Sequence, residues 1–257
     1  MKDLQPADEG YLVRYNVEPI TSYVKHELKF KLMEAEHEAR LRIYKLFETV
    51  PESRRVAGIA FESMAQLRFQ KDVTVTLVPM VRHLPTGKKR LTVWKSQFVD
   101  ESVPMSTEDS GSAAAMAAIA ARETLSIRFK PDEIIQYQKP KLGPVRSGIF
   151  YVPRASNQEA FDSFIVDNGV LYIFQITIAD WHTIKGGLLD FYSQQSLQTI
   201  LQGKEWCFIF VIPPGGVIEC PESSDDRLKK EFWNKVKLFS AEFDPKKEGG
   251  SPGSGSG

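Results

Sequence analysis

Two apolar runs joined by Asp167-Asn168-Gly169 constrain the fold of this chain more than any other segment. Asn-Gly is the strongest two-residue hairpin signal, because both turn residues adopt positive φ. The residues from Phe161 to Asp180 are rich in Val, Ile, Phe and Tyr, which favour strands. The sequence therefore predicts an antiparallel hairpin whose two strands are buried on both faces.

The turn also decides which side chains of the hairpin meet. Counting outward from it places Asp162 opposite Gln175, with Thr177 two residues further along the same face. A buried carboxylate costs on the order of several kcal/mol unless it is paired, protonated or bound to a metal. We therefore expect three polar side chains at one end of an apolar hairpin, and a group nearby that compensates Asp162.

The remaining segments predict helices and strands around this hairpin. Residues 21–49 have the period of one long, charged surface helix, residues 54–71 that of a second helix with a buried side, and residues 183–201 that of an amphipathic helix. Residues 73–99 predict a second antiparallel hairpin, with its turn at Pro85-Thr86-Gly87. This order predicts an α/β fold in which helices flank a central mixed β-sheet.

Changes in composition divide the chain into three parts. We interpret residues 1–53 as a charged helical extension, residues 54–245 as one domain, and residues 246–257, which end in Gly and Ser, as a flexible tail. Within the domain, residues 100–121 are dominated by Asp, Glu, Ser and Ala and are interpreted as a loop or insertion.

Charge and hydropathy argue against several classes of protein. The chain carries 33 Lys and Arg against 33 Asp and Glu, unlike a histone-like nucleic-acid binder. Its longest apolar runs, such as Trp206 to Pro214, are much shorter than the roughly 20 residues of a membrane span. The first ten residues contain three acids and no apolar segment, unlike a signal peptide, so we interpret the protein as intracellular.

Spacing argues against two common ligand sites. Thr86-Gly87-Lys88 is similar to the end of a phosphate-binding loop, but Arg82 stands where the first Gly is required and Lys89 where Ser or Thr is required. Cys207 and Cys220 lack the CxxC spacing and the His partners of a zinc site. We therefore expect no bound nucleotide and no structural zinc.

Three polar residues on three successive elements carry a family resemblance. Glu62 lies on the predicted 54–71 helix, Asp162 on the first strand of the hairpin and Gln175 on the second. A helix with Glu, a strand with Asp and a neighbouring strand with an acid or amide resemble the PD-(D/E)xK nucleases. The resemblance implies a restriction-endonuclease-like domain over residues 54–245, with an added N-terminal helix.

Four phrases carry a closer resemblance. They are Ala57-Gly-Ile-Ala-Phe-Glu62, Phe161-Asp-Ser-Phe164, Leu171-Tyr-Ile-Phe-Gln-Ile-Thr177 and Trp181-His-Thr-Ile-Lys185. Together they resemble the nuclease-like domain of Crinkler and retrotransposon-hot-spot (RHS) proteins of fungi and related eukaryotes, over about residues 54–243. This resemblance implies nucleic acid as the partner, DNA more than RNA, or a nuclear protein partner for an effector.

The resemblance also implies metal chemistry with a degenerate motif. In the nuclease family the Asp and the strand acid hold Mg²⁺, so Glu62, Asp162 and Gln175 are the predicted ligands of Mg²⁺ or Mn²⁺. Gln175 offers a carbonyl oxygen but no charge. Two functions remain open: metal-dependent hydrolysis of phosphodiesters, or an inactive module that keeps the fold to bind nucleic acid or a protein.

The lysine that activates water in this family is missing from its expected position. Thr177 stands there and cannot supply a cation. Lys185, at the start of the predicted 183–201 helix, is the candidate replacement, and His182 is an alternative proton shuttle.

A basic segment supplies candidate contacts to nucleic acid. Residues 54–95 contain nine basic residues against two acidic ones, a local net charge of +7. Lys88, Lys89 and Arg90 lie at the tip of the predicted 73–99 hairpin, where they could reach a phosphate backbone. Local charge thus permits a phosphate-facing surface on a chain that is neutral overall.

The same residues permit a purely structural interpretation. In it Asp162 bonds to a neighbouring loop, Gln175 and Thr177 form a satisfied polar pair, Glu62 is solvated and His182 is an ordinary loop histidine. The interpretations differ in geometry, because an enzyme requires the carboxylates of Glu62 and Asp162 to meet.

Overall fold

The computed structural model describes residues 22–84, 91–96, 124–137, 142–154, 160–194, 197, 199–200, 205–222, 226–233 and 236–247. These residues form an α/β fold with a large mixed β-sheet flanked by helices, as the sequence predicts. The predicted insertion at 100–121 and most of the predicted tail at 246–257 lie outside them. No helix within the described ranges is both long and apolar enough to cross a membrane.

Three helices precede the sheet. They are α1 (Ser22–Glu34), α2 (His37–Glu48) and α3 (Arg54–Phe69). α3 confirms the predicted second helix, and its small residues Ala57, Ala60 and Ala65 are fully buried, which lets the helix backbone lie close to the sheet. Tyr44 of α2 packs on Phe61 of α3 with ring centroids 5.8 Å apart, so the N-terminal helices share the core of the domain.

The predicted single helix over residues 21–49 is wrong, because the chain turns at Ala35 and Glu36. Arg40 of α2 stabilises the break, because its guanidinium donates hydrogen bonds to the main-chain oxygens of Leu32 and Ala35. These carbonyl groups lie at the C-terminal end of α1, where no further helical turn supplies N–H donors. The apolar period continues across the break, so the sequence pattern does not reveal it.

Eleven strands follow within the described ranges. They are β1 (Val73–Pro79), β2 (Val81–His83), β3 (Val93–Lys95), β4 (Leu125–Phe129), β5 (Glu133–Tyr137), β6 (Ile149–Pro153), β7 (Ser163–Asp167), β8 (Val170–Ile176), β9 (Trp206–Ile212), β10 (Glu219–Pro221) and β11 (Val236–Glu242). Eight of them form the central sheet in the order β4-β1-β11-β9-β8-β7-β6-β5. β8, β9 and β11 are parallel, whereas β6, β7 and β8 alternate in direction.

The hairpin predicted around Asn168 and Gly169 is confirmed. The two residues have φ of 46° and 80°, and β7 pairs antiparallel with β8 so that Ser163 faces Phe174. This is the register predicted from the turn, and it brings Asp162 next to Gln175.

The predicted 73–99 hairpin forms only in its inner part. β2 and β3 pair antiparallel and join β10 in a separate three-stranded sheet. β1 instead pairs with β4 and β11 in the central sheet. The predicted tip with Lys88, Lys89 and Arg90 lies outside the described residues.

Apolar side chains cover both faces of the central sheet, as the predicted double burial requires. On β8, Tyr172 and Phe174 point to the face covered by α3, whereas Leu171 and Ile173 belong to the cluster on the opposite face. That second cluster includes residues of α4 (Gly187–Tyr192). The predicted 183–201 helix forms only in part: α4 begins at Gly187, not at 183, and ends at Tyr192, and the described residues 197 and 199–200 are again helical.

Candidate functional site

A cavity of about 580 Å³ lies where α1, the first half of α3 and the end of β8 meet. We call it the α3 cavity. It is lined by Lys25, Arg54, Arg55, Gly58, Ile59, Glu62, Asp162, Gln175, Ile176, Thr177, Ile178, Ala179 and Asp180. The predicted trio is therefore brought together: Asp162 and Gln175 come from one hairpin, and Glu62 comes from α3, about 100 residues earlier in the sequence.

Glu62 forms a buried ion pair with Lys29, a lysine that no sequence motif marks as a site residue. Lys29 of α1 lies with its Nζ 2.6 Å from Glu62 Oε1, and the exposed fractions of the two side chains are 16% and 11%. Charges this far from water require a partner, and each supplies one for the other. The pair joins the N-terminal extension to the middle of α3.

Asp162 is held at the start of β7 by donors from the neighbouring strand. Its Oδ2 accepts hydrogen bonds from the main-chain N of Ile176, at 2.6 Å, and from Nε2 of Gln175, at 2.8 Å. Gln66 of α3 donates from Nε2 to the main-chain oxygen of Asp162, at 3.1 Å. The register set by the Asn-Gly turn thus positions the carboxyl group, and α3 fixes its backbone.

The two carboxyl groups have opposite protonation preferences. Burial raises the pKa of Glu62, but Lys29 outweighs it, together with a hydrogen bond from Asp162, and the net pKa is lowered. Burial and the negative charge of Glu62 raise the pKa of Asp162 well above its usual range, against the opposing effect of Lys29. The cavity therefore favours an ionised Glu62 beside a protonated Asp162, a pair that carries one negative charge.

Lys29 responds to the same neighbours. Burial lowers the pKa of its ammonium group, but the attraction of Glu62 and then of Asp162 is stronger in sum, and the net pKa is raised. Lys29 stays charged and balances the single negative charge of the acid pair.

Thr177, which stands where the nuclease family has lysine, is engaged in local structure. Its N–H donates to the main-chain oxygen of Val211, at 2.9 Å, and its Oγ1 accepts from the main-chain N of Ala179, at 3.0 Å. A side-chain oxygen that accepts from the residue two positions on stabilises a turn. Thr177 thus terminates β8 and directs the chain along the cavity wall.

The structure does not bring His182 or Lys185 to this cavity. Neither residue lines it. The ring of His182 lies 5.8 Å from that of Phe210, and Ile184 is buried in the same apolar cluster, on the face of the sheet opposite α3. Burial and the nearby charge of Lys185 lower the pKa of His182, so its imidazole favours the neutral form. Lys185, the predicted replacement lysine, is therefore not at the cavity, and Lys29 is the lysine that contacts Glu62.

Two lysines and two arginines near the cavity were missed as site residues. Lys25 and Lys29 are four positions apart on α1, and residues at this spacing share one face of a helix. Arg54 and Arg55 occupy the first turn of α3 and line the cavity entrance. The spacing of the lysines is visible in the sequence, but it does not identify the carboxylate that they meet.

The groups at this cavity do not fit a divalent cation as they are arranged. Within the described ranges, no group of three or more His, Cys, Asp or Glu side chains converges. Glu62 is bonded to Lys29, and Asp162 favours its protonated form while its Oδ2 accepts two N–H groups. Mg²⁺ and Mn²⁺ are bound by ionised carboxylates and other oxygens, whereas here the ionised Glu62 is already paired with Lys29 and Asp162 favours its protonated form.

Comparison with protein-family models, with curated proteins and with solved structures finds no match to the chain. The nuclease-like fold and the Crinkler and RHS resemblance therefore stay predictions. What the chain does has to be inferred from the α3 cavity itself.

Proposed function

We propose that this chain is a nuclease-fold module that binds nucleic acid at the α3 cavity and does not cleave it with a metal. One observation carries the proposal: the ion pair of Lys29 and Glu62, 2.6 Å apart inside the cavity. A cation of the protein itself holds the carboxylate on which metal-dependent cleavage would depend. This favours the inactive alternative among the two functions that the sequence left open.

The order of elements supports the restriction-endonuclease-like part of this proposal. Glu62 lies on α3, Asp162 directly precedes β7, and Gln175 lies on β8, in the order that the sequence resemblance implies. The three residues converge in one cavity, which a chance succession of polar residues does not require. The cavity also lies at the carboxyl end of β8, next to parallel β9, and open α/β sheets commonly bind ligands outside the carboxyl ends of their strands.

Three cationic side chains support the proposal that the cavity binds nucleic acid. Lys25, Arg54 and Arg55 line the cavity and are exposed, and we call them the basic rim. The acid pair behind them is balanced by Lys29, which leaves Asp180 as the acid that the rim must outweigh. A positive rim at the N-terminal turn of a long helix attracts phosphate groups.

The convergence of Glu62, Asp162 and Gln175 favours a second candidate, the metal-dependent nuclease. It requires Lys29 to release Glu62 when Mg²⁺ or Mn²⁺ is present, with Lys29 standing in for the lysine absent at position 177. An assay of nucleic-acid cleavage separates the two candidates.

Cleavage is tested with supercoiled plasmid and with single- and double-stranded DNA and RNA oligonucleotides, in MgCl₂ or MnCl₂. We expect no cleavage above that of an Asp162→Ala variant purified in parallel. Cleavage by the unmodified chain that disappears in both Glu62→Ala and Asp162→Ala would overturn the proposal in favour of the nuclease.

Binding is tested by fluorescence anisotropy with labelled oligonucleotides over a series of salt concentrations. We expect the Lys25→Ala, Arg55→Ala double variant to bind more weakly. The slope of log affinity against log salt concentration should fall in magnitude by about one for each lost phosphate contact. Arg54 is left in place because it donates to the main-chain oxygen of Ile178, at 2.8 Å. Lys31→Ala on the same helix is the matched control, since Lys31 is exposed and pairs with Glu34. Equal loss in the control would show that the basic rim is not the binding surface.

A further inference from the structure

Trp181 is the exposed member of the four tryptophans in this chain. Half of its surface (50%) is accessible, whereas Trp206 and Trp233 are buried in the apolar cluster opposite α3. Trp94 is half-buried, and its Nε1 donates to Glu222, at 2.9 Å. A half-exposed indole offers a large, flat apolar surface to a ligand.

The backbone on both sides of Trp181 is fixed. The main-chain N of Glu219 donates to the oxygen of Asp180, at 2.8 Å, and the main-chain N of His182 donates to the oxygen of Glu219, at 3.0 Å. These bonds form a parallel bridge between Trp181 and Glu219. The indole is therefore presented by a rigid segment, and little conformational entropy is lost when a ligand covers it.

Trp181 directly follows two residues of the cavity wall. Ala179 and Asp180 line the α3 cavity, so the backbone of Trp181 begins where the cavity wall ends. The basic rim lines the same cavity. An exposed aromatic side chain beside a cationic groove is the combination by which proteins bind single-stranded nucleic acid, since the aromatic ring stacks on a base and the cations hold the phosphates.

We propose that Trp181 is a stacking platform for an unpaired nucleobase, so that the ligand of this module is single-stranded nucleic acid. The inference rests on the proposed function for the phosphate contacts and adds to it a base contact outside the cavity. In a duplex each base is already stacked and paired, and its face is not available to the indole. Stacking on an aromatic ring is tolerant of sequence, so we expect little base preference.

The test compares three labelled probes of equal length: a single-stranded oligodeoxythymidine, the corresponding thymine–adenine duplex, and a strand of abasic sites. The abasic strand keeps the phosphates and lacks the bases. Affinities are measured by anisotropy, and quenching of the tryptophan emission is recorded in parallel. We expect the single strand to bind more tightly than both other probes and to quench the emission.

Three variants make the test specific to the indole. Trp181→Ala should weaken single-strand binding by about 5-fold to 150-fold, the range of base–aromatic stacking, and leave abasic binding unchanged. Trp181→Phe should retain part of the affinity, because a smaller aromatic ring still stacks. Leu46→Ala removes an exposed apolar side chain on α2, 64% accessible, and should have no effect. Circular dichroism melts establish that each variant is folded.

The outcomes distinguish this inference from the proposed function. Equal affinity for single-stranded and abasic probes, with no loss in Trp181→Ala, overturns the stacking platform and leaves phosphate binding intact. Absence of binding to all three probes overturns both, and leaves Trp181 as a surface for a partner that is not nucleic acid.

Discussion

The ammonium group of Lys29 and the carboxylate of Glu62 lie 2.6 Å apart, although 33 positions separate them in the sequence. Their ion pair ties α1 to α3 and puts a positive charge next to Asp162. Lys29 thereby balances the single negative charge that Glu62 and Asp162 share. We expect this pair to govern the stability of the protein, its response to metal and its pH dependence.

Removing the ammonium group should destabilise the fold strongly. Lys29→Met keeps most of the side-chain length but leaves Glu62 as a buried charge without its partner, which costs about 3–5 kcal/mol. The free energy of unfolding is measured by urea titration with circular dichroism. Lys31→Met, an exposed position on α1, should change it by less than about 0.5 kcal/mol. A double variant with Glu62→Gln should recover part of the loss, and a loss equal to the sum of both single variants would contradict a direct ion pair.

The same variant should respond to metal where the unmodified protein does not. With Lys29→Met, the oxygens of Glu62, Asp162 and Gln175 are no longer balanced by an internal cation, and a divalent cation can take over that role. We expect MnCl₂ to raise the melting temperature of Lys29→Met by several degrees and that of the unmodified protein hardly at all. An equal shift in both proteins would show that Lys29 does not compete with the metal.

The effect of Asp162→Asn on the free energy of unfolding should become more favourable as the pH rises. The pKa of Asp162 is raised in the folded protein, so between the unfolded value near 3.8 and its folded pKa the folded state holds a proton that the unfolded state has released. Stability of the unmodified protein is therefore lost across that window, and the asparagine variant lacks this loss.

The measurement is the difference in unfolding free energy between the two proteins from pH 4 to pH 7. We expect it to move in favour of Asp162→Asn by about 1 kcal/mol or more, since one pKa unit corresponds to about 1.4 kcal/mol. Asp190→Asn, at an exposed carboxylate of α4, is the control and should show no such trend. A difference that is flat with pH would mean that Asp162 is ionised in the folded state.

Gly169→Ala should weaken the hairpin that positions Asp162. Gly169 has φ of 80°, in the left-handed region that costs a residue with a Cβ about 1–2 kcal/mol. Gly143 is exposed, a Cβ there would meet no atom within 4 Å, and its φ is not left-handed, so Gly143→Ala is the matched control. Thermal melts of the two variants give the comparison, and equal melting temperatures would contradict a strained turn.

The sequence predicts the features that depend on neighbouring residues. The Asn168-Gly169 turn sets the register of β7 and β8, so Asp162 and Gln175 could be placed together before the structure was known. The apolar period of α3 predicts its buried face, and the family resemblance makes Glu62 on this helix a candidate.

The features that depend on distant contacts were beyond prediction. The break between α1 and α2 is stabilised by Arg40, whose hydrogen bonds to Leu32 and Ala35 exist only once the helices are packed. Proximity to Thr177 in the sequence makes Lys185 a candidate, yet the preceding residue, Ile184, is already buried on the other face of the sheet. Lys29 comes from an element that carries no motif, and only the packing of α1 on α3 brings it to Glu62.

The position of β1 in the sheet has a consequence for how the protein acquires its fold. Val78 of β1 faces Ser240 of β11, a strand synthesised about 160 residues later, and β11 separates β1 from β9. A chain emerging from the ribosome can form the β7–β8 hairpin early, but β1 has no place next to the growing sheet until β11 arrives. Contacts of such long range slow folding. During translation β1 can pair with β4, but its other edge stays unpaired until β11 is made, and an unpaired strand edge is a site for aggregation and chaperone binding.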